Sequence, residues 1–343
     1  LISMLFESAK MDPTIINGGI INSYGTNAIL GKGDWLIAEA DESDGTFIKI
    51  PALIGVATNI DPEHLDYYGT FENLLEAFKK FVQRLPFYGF AVLCNDHPEI
   101  RNLIKKIHDR KIITYGVDTQ ADIRAKNIRN KIKGSTFDVE ISERIAGKKK
   151  ILKNVVLPTP GRHNVQNSLA AIAIGVQLGF PDKVIINGFK KFSGVKRRFT
   201  KTGEALGMTV IDDYGHHPTE IMATLRTAKE VVNGKGRVIA VVQPHRYSRL
   251  KNLFSEFSQC FSDADKVIVS EVYSAGEKPI SGASREALVK ALKARKVDAM
   301  PLSSPEALPG LIKSIGKKGD FVVCLGAGSI TYWANSLPSE LSK

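Results

Sequence analysis

At 343 residues the chain is longer than one hydrophobic core usually organises, so two domains are expected. A composition of 43% hydrophobic and 24% charged residues excludes a disordered or fibrous chain, and no apolar run approaches the ~20 residues of a membrane span. The 3 cysteines lie far apart with no CxxC pair, which argues against a cysteine metal cage, and the net charge of +11 suits either nucleic acid or an anionic small molecule.

The distribution of charge favours the small molecule. Basic residues are spread along the whole chain, and the densest run, Gly147–Lys150, falls in a predicted turn without interleaved aromatics. No nucleic-acid module is present, so no nucleic-acid partner is expected. The opening LISMLFESAK lacks the basic start and cleavage site of a signal peptide, so membrane insertion and export are not expected and the cytoplasm is the predicted compartment.

From Leu1 to Lys10 apolar residues recur at helical spacing with no capping signal before them, as in a helix entered part-way. The short apolar runs DWLIAEA, PALIGVATNI, GFAVLCN and KIITYG follow, each succeeded by polar or helix-like sequence, the pattern of a mostly parallel sheet wrapped by helices. Between Ala121 and Val156 the segments STFDVEIS and KKILKNVVL alternate, which predicts a hairpin with a Gly-Lys turn appended to that sheet. A helix is predicted over HNVQNSLAAIAIGVQLG, stopped by Gly179 and Pro181. The basic run FSGVKRRFTKTGEALG is read as the domain boundary, giving domains of residues 1–197 and 198–343. Beyond it MTVIDDY, GRVIAVVQPH, KVIVSEVY and DFVVCLGAGSI read as strands between helical stretches, a smaller doubly wound domain.

Polar clusters follow several of these strands. In EADESDGTF, Glu39, Asp41, Glu42 and Asp44 concentrate negative charge that a magnesium ion would relieve; an acidic helix N-terminus is the alternative. TNIDPEHLDYYGTFE adds Asp61, Glu63, His64 and Asp66 at the same predicted sheet edge. GRHNVQNS places imidazole and amide groups at a helix start, suited to an adenine edge or, for Asn164, to an N-cap. DDYGHHP and QPHRYSR gather aspartates, histidines and arginines that fit an anionic substrate. GAGSI reads first as a tight turn, and no GxxxxGK[ST] loop occurs.

In order, NGGIINSYGTN, EADESDGTF, TNIDPEHLDYYGTF, GRHNVQNSLAA, FSGVKRRF, DDYGHHPTEI, QPHRYSRL, VYSAGE and GAGSI resemble the Mur ligase family, and within it the members that add L-alanine to UDP-N-acetylmuramate. The resemblance implies a central α/β domain that binds ATP and magnesium and a smaller Rossmann-like C-terminal domain. By the same resemblance Glu39 and His64 match magnesium ligands, and His163, Asn164, Asn167, Arg198, Asp213 and His216 match nucleotide contacts. Tyr214, His245, Arg246 and Arg249 match groups around the amino acid and the muramyl end, with Arg246 counted among the catalytic residues; Asn22 and Asn27 match a substrate-facing glycine-rich loop.

The implied reaction passes through an acyl phosphate of the muramyl carboxylate, which the alanine amine attacks, and oriented cations would stabilise the charge that develops. The family's GTHGKTT-type phosphate loop is not in the sequence, so the isolated polypeptide is expected to lack turnover. Two other readings are a ligase that adds a preformed tripeptide to the same UDP-sugar, and a non-catalytic nucleotide-binding remnant.

Overall fold

The opening apolar residues form a helix, Ile2–Ser8, with Met4, Leu5 and Phe6 buried. Leu5 is received where the later helices carry no side chain: a Cβ at Gly175 or Gly188 would stand 2.8 or 2.6 Å from the Leu5 side chain. The computed structural model describes residues 1–131 and 133–343. They form two compact units, the first over Leu1–Arg129 and Lys133–Ser193, the second over residues 130–131 and Gly194–Lys343.

Two sheets build the first unit. Strands β1 (Thr14–Ile21), β2 (Thr26–Ile29) and β3 (Leu36–Ala38) form a small sheet in the order β2-β1-β3, with β1 antiparallel to β2 and parallel to β3. The segment expected as a glycine-rich loop is therefore corrected to a β-hairpin: isoleucines flank Gly18 and Gly19 and favour extended backbone, and Gly25, at φ 68°, closes the turn. The larger sheet runs β4 (Ile54–Ala57), β5 (Phe90–Cys94), β6 (Lys111–Gly116), β7 (Ile123–Lys131), β8 (Gly134–Ile141) and β9 (Lys150–Leu157) in sequence order. It is parallel from β4 to β7, and β9 pairs antiparallel to β8. Every residue of β5 is buried, which is why it reads as a continuous apolar run.

The appended hairpin differs from expectation in two details. Residues 123–131 form a further strand, joined to β6 through Tyr115 and Gly116 only, so its polar alternation gave little sign of it. The link between β8 and β9 is a short helix, Glu143–Ala146, closed by Gly147 at φ 73°, rather than a two-residue turn.

In the second unit β10 (Thr200–Ala205), β11 (Met208–Asp213), β12 (Val238–Val242), β13 (Lys266–Val269), β14 (Ala299–Pro301) and β15 (Phe321–Leu325) order as β10-β11-β15-β12-β13-β14. All neighbours are parallel except β10 and β11. Alternate residues of the central strands enter two separate cores: Ala240, Val267 and Val323 in one with Leu225 and Phe257, and Ile239, Val241 and Val322 in the other with Ile312 and Leu337. Both units are thus α/β with mostly parallel sheets. Cys94, Cys260 and Cys324 are buried free thiols, and no helix of the described residues is long and apolar enough to cross a membrane.

Candidate active site

Loops at strand ends carry the chemistry in the first unit. After β3 the chain enters EADESDGTF, and the structure gives its carboxylates different work. Glu39 turns back, and its Oε2 accepts the Gly18 amide at 2.6 Å. Asp41 accepts Ser43 N at 2.8 Å, and Asp44 accepts Thr46 N and Oγ1 at 2.9 and 2.7 Å, so both close local turns. Glu42 faces the loop after β4. There His64, in a left-handed conformation at φ 55°, holds Nε2 3.5 Å from Glu42 Oε1 and 3.7 Å from Glu63 Oε2.

The ligand atoms of Glu42, Glu63 and His64 lie within 4.8 Å of one another. Two carboxylates and an imidazole at that spacing are an oxygen-rich donor set compatible with a hard divalent cation. Glu39 is not in this triplet. Tyr68 donates its hydroxyl to the Glu42 carbonyl and braces the loop, while Asn59 Nδ2 at 2.8 Å and His97 at 3.5 Å fix Asp61.

The helix Arg162–Gln177 starts at Gly161, which at φ 110° is its N-cap; Asn164 therefore does not cap it. Its amide instead reaches back to the Pro160 carbonyl at 2.7 Å, His163 is half-buried one position earlier, and Asn167 is exposed one turn on. Beneath this start, Asp96 accepts the amides of Val117, Asp118 and Thr119 at 2.7, 3.0 and 2.8 Å and the Gln166 amide at 2.6 Å. Burial raises the Asp96 carboxyl, but these donors outweigh it and hold it below the usual range. Asn22 donates to Ser193 O at 2.9 Å from the hairpin turn, and Asn27 lies exposed on β2.

The second unit gathers its groups beyond the carboxyl ends of β11, β12, β13 and β15, the usual ligand edge of such a sheet. Asp213 is 5% exposed and saturated: it accepts Phe199 N at 2.7 Å, Gly215 N at 2.8 Å and Thr224 Oγ1 at 3.0 Å. Its carboxylate thus shapes the loop from within. His217 and Glu220 form a capping box on the helix Pro218–Val232. Glu220 also accepts His216 N at 3.0 Å and stands 3.5 Å from the exposed Arg198.

Aromatic rings then cross the edge in a row. Tyr214 meets His216 edge-on at 5.1 Å, His216 meets His245 at 5.8 Å, and His245 stacks on Tyr273 at 5.5 Å. Burial, then repulsion from His216, Arg249 and Arg246, lowers His245 to about 4, so its imidazole is neutral near pH 7. Arg249 donates to His245 Nδ1 at 3.2 Å, and Arg246, held at φ 69°, is 3.7 Å from Glu277. A Cβ at Gly328 would stand 2.6 Å from both the Tyr273 ring and Gln243 Oε1, so only glycine fits there.

Residues 32–175 match the Mur ligase middle domain, and residues 197–328 match the Mur ligase glutamate ligase domain. The UDP-N-acetylmuramate--L-alanine ligase of Rhodospirillum centenum is 59% identical over 344 residues, covering 99% of this chain and 70% of the relative. The chain belongs to the Mur ligase family. The Agrobacterium fabrum protein of the same name is 56% identical to this Mur ligase, covering 99% of the chain and 72% of its own length. A crystal structure of UDP-N-acetylmuramate-alanine ligase from Thermotoga maritima superposes with a TM-score of 0.78 at 26% identity, over 98% of this chain and 70% of that one.

Of the residues expected at the site, the structure brings Tyr214, His216, His245, Arg246 and Arg249 to one sheet edge, with Asp213 beneath and Arg198 beside them. It separates Glu39 from the triplet around His64. Sequence reasoning gave no role to Arg197, Tyr273 or Glu277 in this Mur ligase. The VKRR doublet and the VYSAGE string were their signals, but which member of each string touches its neighbours needs coordinates.

Proposed function

We propose that this Mur ligase joins L-alanine to UDP-N-acetylmuramate at the expense of ATP in the cytoplasm, for peptidoglycan synthesis. One observation carries the reading: 59% identity, spread over both matched domains, to a ligase of that name.

Roles are proposed for each of the two domains read from the sequence. In residues 1–197, His64 with Glu42 and Glu63 would hold magnesium, and Glu39 joins them if its carboxylate leaves the Gly18 amide. The donor set fits, because two facing carboxylates beside an imidazole have charge that a divalent cation neutralises. When bound, the cation neutralises phosphate oxygens. His163, Asn164 and Asn167 present donors and acceptors to the nucleotide, and Asn22 and Asn27 offer amides to the substrate.

In residues 198–343, Arg198 and His216 offer positive or polar groups to nucleotide phosphates, while Asp213 holds the loop that carries His216. Arg246 and Arg249 present guanidinium groups to carboxylate and phosphoryl oxygens of the substrates, where oriented cations act most strongly. His245 and Tyr214 supply flat, uncharged walls for a small amino acid, and the lowered His245 keeps the arginines as the cationic groups there.

The test is ligation by this chain joined to the GTHGKTT-bearing segment that the family resemblance calls for, with L-alanine and tripeptide offered separately. Phosphate release that depends on L-alanine and yields a UDP-N-acetylmuramoyl-alanine product is expected. Use of tripeptide alone, or of neither, overturns the reading.

A further inference from the structure

The VKRR string and the GAGSI turn meet at Arg197. The guanidinium Nη2 donates to Gly326 O at 2.5 Å and Gly328 O at 3.4 Å, and Nη1 donates to Ala327 O at 3.3 Å, so one side chain grips three successive carbonyls. The face of the same guanidinium lies 4.7 Å from the centroid of the Tyr214 ring. The Arg197 backbone carbonyl also accepts Tyr214 N at 2.7 Å. Tyr214 is therefore held twice by one residue, at its main chain and at its ring.

Arg197 stands at φ 61°, a left-handed conformation that costs a non-glycine residue energy and persists only where its surroundings fix it. The neighbouring Asp212, 2% exposed, is pushed up by burial, and the Arg197 charge opposes that rise.

We infer that Arg197 is a positioning residue for the amino-acid wall: it ties the Gly326–Gly328 turn to Tyr214 and so sets where the Tyr214 ring stands. The inference rests on the reading of Tyr214 proposed above. Neighbouring Arg198 differs, since its guanidinium is farther from the ring, at 5.6 Å, and exposed. The planar fork is the property used. Lysine keeps the charge beside Asp212 but can neither span three carbonyls nor stack flat on a ring.

The experiment is Arg197→Lys in the full chain labelled on its tyrosine rings and backbone amides. In the NMR spectrum the Tyr214 ring signals and the Gly326–Gly328 amides are expected to move together, while Tyr115, buried in the first unit, stays in place. In the ligation assay, run with the chain joined to the GTHGKTT-bearing segment, KM for L-alanine is expected to rise on the order of tenfold with kcat changed less than about twofold. Combined with Tyr214→Ala, the lysine substitution should add nothing further to KM.

Unmoved Tyr214 signals, or effects of the two substitutions that multiply fully, overturn the inference. Should Arg197→Lys unfold the second unit, Arg197→Gln is read by the same signals with the same two outcomes. Movement of the Tyr214 signals in a protein that does not use L-alanine would sink the functional reading and the amino-acid wall with it. An alanine-using enzyme whose Tyr214 signals ignore the substitution would sink this inference alone.

Discussion

Both units place polar loops at the carboxyl ends of parallel strands, yet they stabilise those loops by different means. In the first unit the loop residues Glu42, Glu63 and His64 are half-buried and face one another, their ligand atoms within 4.8 Å. In the second, the central carboxylate, Asp213, is buried under two amides and a hydroxyl, and His216 and His245 meet ring to ring, with His245 stacked in turn on Tyr273. Folding alone preorganises the second set of loops. The first set keeps two carboxylates facing one imidazole, negative charge that a bound cation would relieve.

The largest effect is expected where that contrast is sharpest. Asp213→Ala leaves the Phe199 and Gly215 amides and the Thr224 hydroxyl unpaired in the interior, which should destabilise the second unit by about 3–5 kcal/mol. Hydrogen exchange of the β11 and β15 amides reads this directly. Exchange that speeds up equally in the first unit, or not at all, would show that Asp213 does not organise its loop separately.

Next is the pH response of the ring row. His245 titrates at about 4 in the folded chain against about 6.5 in an unfolded one, so only the unfolded state gains a proton between these values. The contribution to stability is full above pH 6.5 and is lost as pH falls toward 4. The ring is half-exposed, so solvent screening reduces the loss to on the order of 1 kcal/mol. His216→Ala should raise the NMR titration midpoint of His245, and Arg249→Gln should raise it by less, in the order of their repulsion. A midpoint near 6.5 in the unsubstituted chain would remove the neutral wall from the proposed site.

Much of this was legible in the sequence, for a physical reason. Buried parallel strands such as FAVLC and FVVCL are unbroken apolar runs, and the helix Pro218–Val232 begins at the Pro and ends at the Val that its periodicity and capping residues indicate. Strands β7, β10 and β14 were not read, because a polar or three-residue edge segment carries no such run. At the sites, residue types and loops were legible but partners were not. Glu39 and Glu42 have the same chemistry three residues apart, and only the turn of the loop sends one to Gly18 and the other to His64. Asn164 suits an N-cap by type, but Gly161 takes that position because the chain enters the helix at φ 110°.

That helix start supplies a smaller effect. Asn164→Ala loses the bond to Pro160 O in a half-buried setting and should cost about 1 kcal/mol in thermal unfolding of the first unit. A loss in nucleotide affinity larger than this would mean that the amide is shared with ligand; an equal loss would make Asn164 purely a brace.

Glu42→Gln should change stability least, by less than about 0.5 kcal/mol, since the side chain is 38% exposed and its partner His64 stands at 3.5 Å. Its value lies in the cation response. With magnesium present, the unsubstituted chain should gain thermal stability in the first unit by preferential binding to the folded state, and the second unit should not respond. Glu42→Gln and His64→Ala should each weaken that gain, whereas Asp44→Asn, whose carboxylate closes the Thr46 turn, should leave it intact. Were Glu39→Gln alone to abolish the gain, the Glu39 carboxylate would have to leave Gly18 for the cation, and the site would be built around the residue that the coordinates hold apart from the triplet. Equal loss from Glu39→Gln and Glu42→Gln would make both ligands of one ion.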